Sequence, residues 1–423
     1  MPDLPVVVIG AGPQGLAAAA HLAERDQSVL VLERGAAAGA AVAEWGHVRL
    51  FSAWPELIDA AARRLLEASG WTAPAGGYPT GAEWAARYLL PLAAALGERV
   101  RTSVAVTGVA REGRDRVVSS GRDDAPFVVH ARTAAGEERI LARAVVDASG
   151  TWSQPRPAGA NGLPAIGEAG AADAVSYRIP SDADRFAGRH VAVVGAGHSA
   201  TQAVLALDAV AAHSPETRIT WIVRRDSPTN LFGGGAADDL PERAALGGRA
   251  HAAIDRGRVR LVTGYRLAEI RREQAAVALV AEDGRRIPDV DHVIALTGFR
   301  PDTTFLSELR LDLDPVLEAV AGIAGEIDPN LHSCGSVGAT GARQLAQPER
   351  DLFVVGAKSY GRAPTFLALT GYEQVRSVAA HLAGDHEAAA RSELVLPETG
   401  VCGGAGDFGG SACCAPPLLQ IGR

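Results

Sequence analysis

Val6-Val-Val-Ile9-Gly10-Ala-Gly12-Pro13-Gln14-Gly15 runs from four consecutive apolar residues directly into three spaced glycines. Residues 5–9 read as a buried strand, residues 14–25 as an alanine-rich helix, and residues 28–33 as the next strand. The three glycines serve different ends, namely a tight turn, close approach of a pyrophosphate to the backbone, and tight packing of helix on strand. The helix N-terminus then offers free N–H groups and partial positive charge to phosphates. Glu33 stands at the end of the second strand, where a carboxylate accepts hydrogen bonds from ribose hydroxyls, and Arg34 follows it. Strand, turn, helix and acid together predict a dinucleotide site on Gly10, Gly12, Pro13, Gln14, Gly15, Glu33 and Arg34.

A second unit of the same kind begins at His190. Val191 to Val194 lead into Gly195-Ala-Gly197-His198-Ser199-Ala200, and the fingerprint also allows alanine in its third place. The second strand of this unit ends in Arg224-Arg225 in place of a carboxylate. Two guanidiniums suit a 2′-phosphate rather than a ribose hydroxyl, so this site is expected to take NADPH. A pair of dinucleotide sites in one chain has a simple chemical meaning: a nicotinamide gives a hydride, and a flavin held in the other domain receives it. The first site is therefore expected to hold FAD.

Outward from these motifs, the pattern predicts an α/β fold of two Rossmann-like, three-layer ββα dinucleotide-binding domains, with the NADPH domain inserted into the FAD domain. The expected divisions are 1–155 for the first part of the FAD domain, 156–320 for the NADPH domain, 321–398 for the returning FAD segment, and 399–423 for a flexible tail. Helical patterns occupy 55–69, 82–96 and 365–382. Antiparallel strands are expected at 100–109, 127–133 and 139–147, and further strands at 218–223, 259–263, 276–281, 292–297 and 352–356. The Pro/Gly/Ala-rich stretch 152–170 reads as a linker, and the loop around Gly233 to Gly235 as a glycine-rich connection.

Composition narrows the class. The 423 residues are 47% hydrophobic and 21% charged, ordinary for a globular protein with two or three domains. A net charge of -8 gives no reason to expect a nucleic acid, and no apolar run is long enough to cross a bilayer. The first residues lack a basic n-region and read as a strand, so a cytoplasmic enzyme is expected. Of four cysteines, Cys334, Cys402, Cys413 and Cys414, three lie in the tail, which is no disulfide framework. No His/Asp metal cluster and no nucleophile–base–acid triad stands out at known spacing.

Three further stretches come in a telling order. They are Val145-Val-Asp-Ala-Ser-Gly150-Thr, Ala295-Leu-Thr-Gly298-Phe-Arg300-Pro301-Asp302 and Leu352-Phe-Val-Val-Gly356. With the two glycine motifs they resemble the two-dinucleotide-binding-domain flavoproteins, a superfamily that includes thioredoxin reductases and flavin-containing monooxygenases. The resemblance extends to about residue 396 and implies that Gly150, Gly298 and Gly356 border the cofactors. Disulfide reductases of this superfamily carry a redox cysteine pair after the first glycine motif or inside the NADPH domain. Here no cysteine precedes Cys334, so an ordinary disulfide reductase is not expected. The lead-in Phe186-Ala-Gly188 to Ala200 looks like that of the flavin monooxygenases, although the upstream region has Tyr177 and lacks that family's histidine.

A nearer resemblance is to the flavin monooxygenase-like proteins encoded with bacterial arsenic-resistance genes. It rests on Cys334 with His332 and Gly335, on Lys358-Ser-Tyr-Gly-Arg-Ala-Pro364-Thr-Phe, on Thr370-Gly-Tyr-Glu-Gln374, and on Leu396-Pro-Glu-Thr-Gly-Val-Cys402. It implies NADPH-dependent oxidation, by molecular oxygen, of a small soft nucleophile or a metalloid compound; superfamily analogy adds a homodimer. Soft thiolates suit soft ions, so Cys402, Cys413 and Cys414 are candidate ligands for a metalloid, or the electron-passing thiols of a reductase. Arg49 and Trp54 could line the flavin face or simply pack. Where most of the superfamily has an aspartate, this chain has Lys358, its single lysine among 41 basic residues. A compact ammonium there is expected to act on the flavin or its phosphates as a catalytic group.

Overall fold

The computed structural model describes residues 4–228, 231–232, 241–331, 338–363 and 366–394. The first part of the chain contributes strands β1 (Val6–Ile9), β2 (Val29–Leu32), β3 (Val100–Arg101), β4 (Ala105–Arg111), β5 (Phe127–Thr133), β6 (Gly136–Ala142) and β7 (Ala144–Asp147). The inserted part contributes β8 (Val175–Ser176), β9 (His190–Val194), β10 (Arg218–Ile222), β11 (Val259–Val262), β12 (Leu267–Glu273), β13 (Ala276–Ala281), β14 (Arg286–Val290) and β15 (His292–Ala295). The last strand, β16 (Leu352–Val354), returns to the first sheet.

Period two explains why β1 is apolar throughout. Val6 and Val8 point into the core beneath the helix Pro13–Ala23, while Val7 and Ile9 point into the core shared with β4 and β5. The same sorting recurs in β9. Val191 and Val193 pack against Ala200, Val204 and Leu207 of the helix His198–His213, and Ala192 and Val194 pack against Leu279 and Ile287. Each unit therefore has three layers: helices, a five-stranded parallel sheet, and a three-stranded antiparallel sheet. The parallel sheets run β16-β7-β1-β2-β3 and β11-β10-β9-β15-β8; the antiparallel ones run β4-β5-β6 and β12-β13-β14. Two five-stranded parallel sheets, each carrying a glycine turn after its central strand, are the predicted fold.

Several expectations at finer scale are corrected. Residues 100–109 are not one strand: Ser103 turns with φ +57, leaving β3 in the parallel sheet and β4 in the antiparallel one. Residues 139–147 likewise divide at Arg143 into β6 and β7, which belong to different sheets. β12 and β14 were not anticipated, since Leu267–Glu273 and Arg286–Val290 are edge strands rich in charge, and β14 also contains a proline. The boundary expected at 320 moves to about residue 300. Leu306 and Leu309 lie in one core with Val7, Ile9 and Val145, and Leu317 and Val320 in another with Val6 and Val8. The stretch 152–170 is docked on the inserted unit, with Ala158 and Ala165 buried and Ile166 bridged to Glu269.

The register places both glycine turns at carboxyl edges. Ile9 aligns with Leu32 and Asp147, and Asp147 with Val354, so Gly10, Glu33, Ala148 and Val355 leave the sheet together. Val194 aligns with Ile222 and Ala295, which brings Gly195, Val223 and Leu296 to the corresponding edge of the second sheet. Open α/β sheets bind their ligands at such edges.

Candidate active site

The first edge opens into a groove of about 440 Å³, bordered by Gly10, Gly12, Pro13, Gln14, Glu33, Arg34, Gly150 and Gly356 among others. A Cβ on Gly15 would lie 1.9 Å from the Gly10 carbonyl oxygen, so helix and turn touch there, whereas a Cβ on Gly12 would meet nothing within 4 Å. The helix Pro13–Ala23 has no side-chain cap at Gly12, and its first N–H groups are left for a ligand. Glu33 accepts hydrogen bonds from the backbone N–H of Ala11 at 2.7 Å and of Gly35 at 2.7 Å, tying the turn to the end of β2. Each of its oxygens retains another lone pair. Gln14 donates to the Ala368 carbonyl, and its Oε1 is buried with no partner. An uncapped helix end, a turn open at Gly12 and an orphaned acceptor fit a dinucleotide.

The second groove, about 530 Å³, is bordered by Gly195, Gly197, His198, Ser199, Arg224, Arg225 and Gly298. Its helix, His198–His213, is also uncapped by a side chain, and a Cβ on Gly197 would meet nothing within 4 Å. Ala200 is buried against Val193 and Val204, as the third place in the motif requires for helix packing. Arg224 Nη1 donates to the Ala160 carbonyl at 3.3 Å. Arg156 and Arg362, from outside the sheet, also border this groove. Guanidiniums gathered beside an open helix end fit a phosphorylated dinucleotide.

Between the grooves lies a chamber of about 320 Å³. Three of the six tryptophans, Trp45, Trp84 and Trp152, line it with Phe51, Phe299 and Phe366. Trp45, Trp84 and Trp152 also border the first groove, Phe51, His198 and Phe299 the second, and Phe366 both, so the chamber joins the two. Trp152 and Phe299 stack at 4.9 Å between ring centroids, and the Arg178 guanidinium lies 3.9 Å above the Trp152 ring. Burial, above all, pushes the Arg178 guanidinium below its ordinary range. Tyr177 donates to Glu168 at 2.6 Å, and burial followed by that carboxylate drives the phenol well above its ordinary value. Tyr177 therefore stays neutral and fixed in the wall. His198 meets the Phe51 ring at 5.1 Å, across the two units.

Residues 7–319 match the pyridine nucleotide-disulphide oxidoreductase family. The chain belongs to that family. It is an FAD-dependent oxidoreductase whose cofactors are FAD and NADPH. No curated protein sequence matches it. Among solved structures, the bacillithiol disulfide reductase of Bacillus cereus superposes with a TM-score of 0.68 at 20% identity, covering 90% of this chain and 99% of the other. A flavin-containing monooxygenase from Stenotrophomonas maltophilia gives 0.54 at 25% identity, covering 90% and 100%. The thioredoxin reductase of T. acidophilum gives 0.56 at 16%, covering 91% and 99%. Reductases and monooxygenases of the superfamily thus share this fold.

Within this family member, the structure sorts the predicted site residues unequally. Gly10, Gly12, Pro13, Gln14, Glu33, Arg34, Gly150 and Gly356 border the first groove and Gly195, Gly197, His198, Ser199, Arg224, Arg225 and Gly298 the second, whereas Gly15 and Ala200 pack behind them. Lys358, expected to be a catalytic ammonium, lies directly behind the wall of the first groove, against its lining residues Ser149 and Phe305. Its Nζ is buried, 2.6 Å from Asp147 Oδ2 and 3.0 Å from Ser149 Oγ, and lies 4.5 Å over the Phe305 ring. The pair ties the turn after β7 to the turn after β16, two walls of the first groove. Trp54 is buried in the core, whereas Arg49 lines the chamber. Cys334, Cys402, Cys413 and Cys414 lie outside the described residues, as does the loop Gly233 to Gly235. Among the described residues there is no His/Cys/Asp/Glu group fit to hold a metal, and no helix long and apolar enough to cross a membrane. Arg156, Arg362 and the chamber aromatics escaped the sequence reading. In a chain with one lysine no single arginine stands out, and aromatics scattered from 45 to 366 have no common period.

Proposed function

We propose that this chain is an NADPH-dependent flavin monooxygenase acting on a small soft nucleophile or metalloid compound. The observation that carries this reading is the aromatic chamber joining the two grooves. When bound, FAD would accept a hydride and react with oxygen, chemistry that needs a site sheltered from water. Trp45, Trp84 and Trp152 give the chamber apolar walls, Tyr177 is anchored neutral, and His198 reaches the chamber from the helix that starts the second groove. The likeness to proteins encoded with arsenic-resistance genes, and the absence of cysteine before Cys334, point the same way.

The test is turnover in air and under nitrogen, with the wild type and a variant in which all four cysteines are serine. The reading expects NADPH oxidation that requires oxygen, releases hydrogen peroxide when no substrate is present, and survives loss of the cysteines. Anaerobic reduction of a disulfide or metalloid that disappears in the cysteine-free variant would instead make the chain a reductase working through its terminal thiols.

A further inference from the structure

The two chain crossings between the units pair with each other. Pro155 bridges Phe299, the Arg156 N–H donates to the Gly298 carbonyl at 2.9 Å, and the Arg300 N–H donates to the Gln154 carbonyl at 2.9 Å. Two arginines therefore stand on the hinge itself. Their guanidiniums converge: Arg300 Nη2 donates to the Gly162 carbonyl at 2.6 Å, and a Cβ built on Gly162 would lie 3.1 Å from Arg300 Nη2 and 3.7 Å from Arg156 Nη2. Arg224 reaches the same strip from the inserted unit through the Ala160 carbonyl. Arg362 reaches it from the first unit, held by Glu318 at 2.6 Å.

Around Arg156 positive charge predominates. The guanidiniums of Arg300, Arg362 and Arg224 act on it against the carboxylate of Glu318, which is itself bonded to Arg362. The Nε atoms of Arg156, Arg300 and Arg362 are buried without a hydrogen-bond partner. Burial, then the proximity of Arg300, Arg362 and Arg224, pushes the Arg156 guanidinium below its ordinary range. A half-buried guanidinium such as that of Arg156, set beside other guanidiniums, is disfavoured unless an anion completes the set.

We propose that Arg156, Arg300, Arg362 and Arg224 form one anion site on the hinge, and that it takes a phosphate group of the bound nicotinamide dinucleotide. The site borders the second groove at Arg156, Arg224 and Arg362, so the proposal rests on the NADPH assignment of that groove. Its consequence is that nucleotide is gripped from both units and from the hinge, beyond the Arg224-Arg225 pair that the sequence singled out.

Calorimetric titration of the FAD-loaded protein with NADP+, NAD+ and inorganic pyrophosphate tests this. Arg156→Gln and Arg362→Gln should each weaken NADP+ binding roughly tenfold to a hundredfold, the loss of one charge-assisted hydrogen bond. FAD absorbance and melting temperature should stay near wild type. Should Arg156→Gln fail to fold, Arg156→Lys and Arg362→Gln carry the test. A matching loss for NAD+ places the pyrophosphate at the site, and a loss confined to NADP+ places the 2′-phosphate there. Unchanged NADP+ affinity in folded variants overturns the proposal while leaving the NADPH assignment intact. A wild type that binds neither dinucleotide, yet binds pyrophosphate through Arg156, sinks the nucleotide assignment and keeps an anion site; no binding of any of the three overturns both.

Discussion

The ammonium of Lys358 and the carboxylate of Asp147 are both withdrawn from water, at 1% and 0% side-chain exposure. Asp147 is further used by Ser149, whose N–H and hydroxyl both donate to Oδ1. A buried pair of this kind adds little net stability over an apolar pair, but removing one partner strands the other charge. Lys358→Met should therefore cost about 3–5 kcal/mol, seen as a lower melting temperature with loosened FAD. The double variant Lys358→Met/Asp147→Asn should recover part of that loss, because no charge is then stranded. A melting temperature equal to wild type in the single variant would remove the positioning role. The sequence flagged Lys358 correctly as unusual, yet the direction of its side chain depends on Asp147, which lies 211 positions away.

At the scale of the element, the strand–turn–helix at the N-terminus separates two uses of glycine. Gly15 sits where any side chain strikes the Gly10 carbonyl, so Gly15→Ala should destabilise the fold by about 1–3 kcal/mol or more through overpacking, with FAD lost as a consequence. Gly12 faces open groove. Gly12→Ala should leave the melting temperature of the FAD-free protein unchanged while weakening FAD, since a methyl group would stand where the pyrophosphate approaches. Melting curves of the FAD-free variants beside flavin fluorescence titrations make the comparison. Equal behaviour of the two variants would contradict the distinction.

Across the whole molecule, stability has a pH dependence whose sign follows from buried histidines. Burial chiefly lowers the pKa of His190, His292 and His381 in the folded state from 6.5. Unfolded chains then take up protons below about 6.5 that the folded state refuses, so stability falls as pH drops through that value. Glu349 acts in the same direction at lower pH. Burial opposes its ionisation, but the guanidiniums of Arg122 and Arg111 outweigh this and hold its carboxyl below 4.5. Its contribution is present above 4.5 and is lost as pH falls through its lower folded value. The melting temperature should be level from pH 8 to 7, decline from about 6.5 downwards, and decline further below 4.5. His292→Gln should soften the first decline; a melting temperature constant between pH 7 and 5 would contradict the assignment.

Local periodicity was enough to read the two sheets, their glycine turns and the acid or arginines that follow, because each is written within about 35 consecutive residues. Strand ends where two sheets meet, at Ser103 and Arg143, were not legible: an apolar alternation continues across them while the chain changes partner. The edge strands β12 and β14 were hidden by charge. The chamber and the hinge arginines were decided by tertiary structure alone. Trp45, Trp152 and Phe366, or Arg156, Arg224 and Arg362, carry no shared spacing, and they meet only because an inserted domain folds back on the sheet that β16 completes. Short-range pattern fixes which residues are strand, turn or helix, whereas the convergence of distant side chains depends on packing that no single stretch encodes.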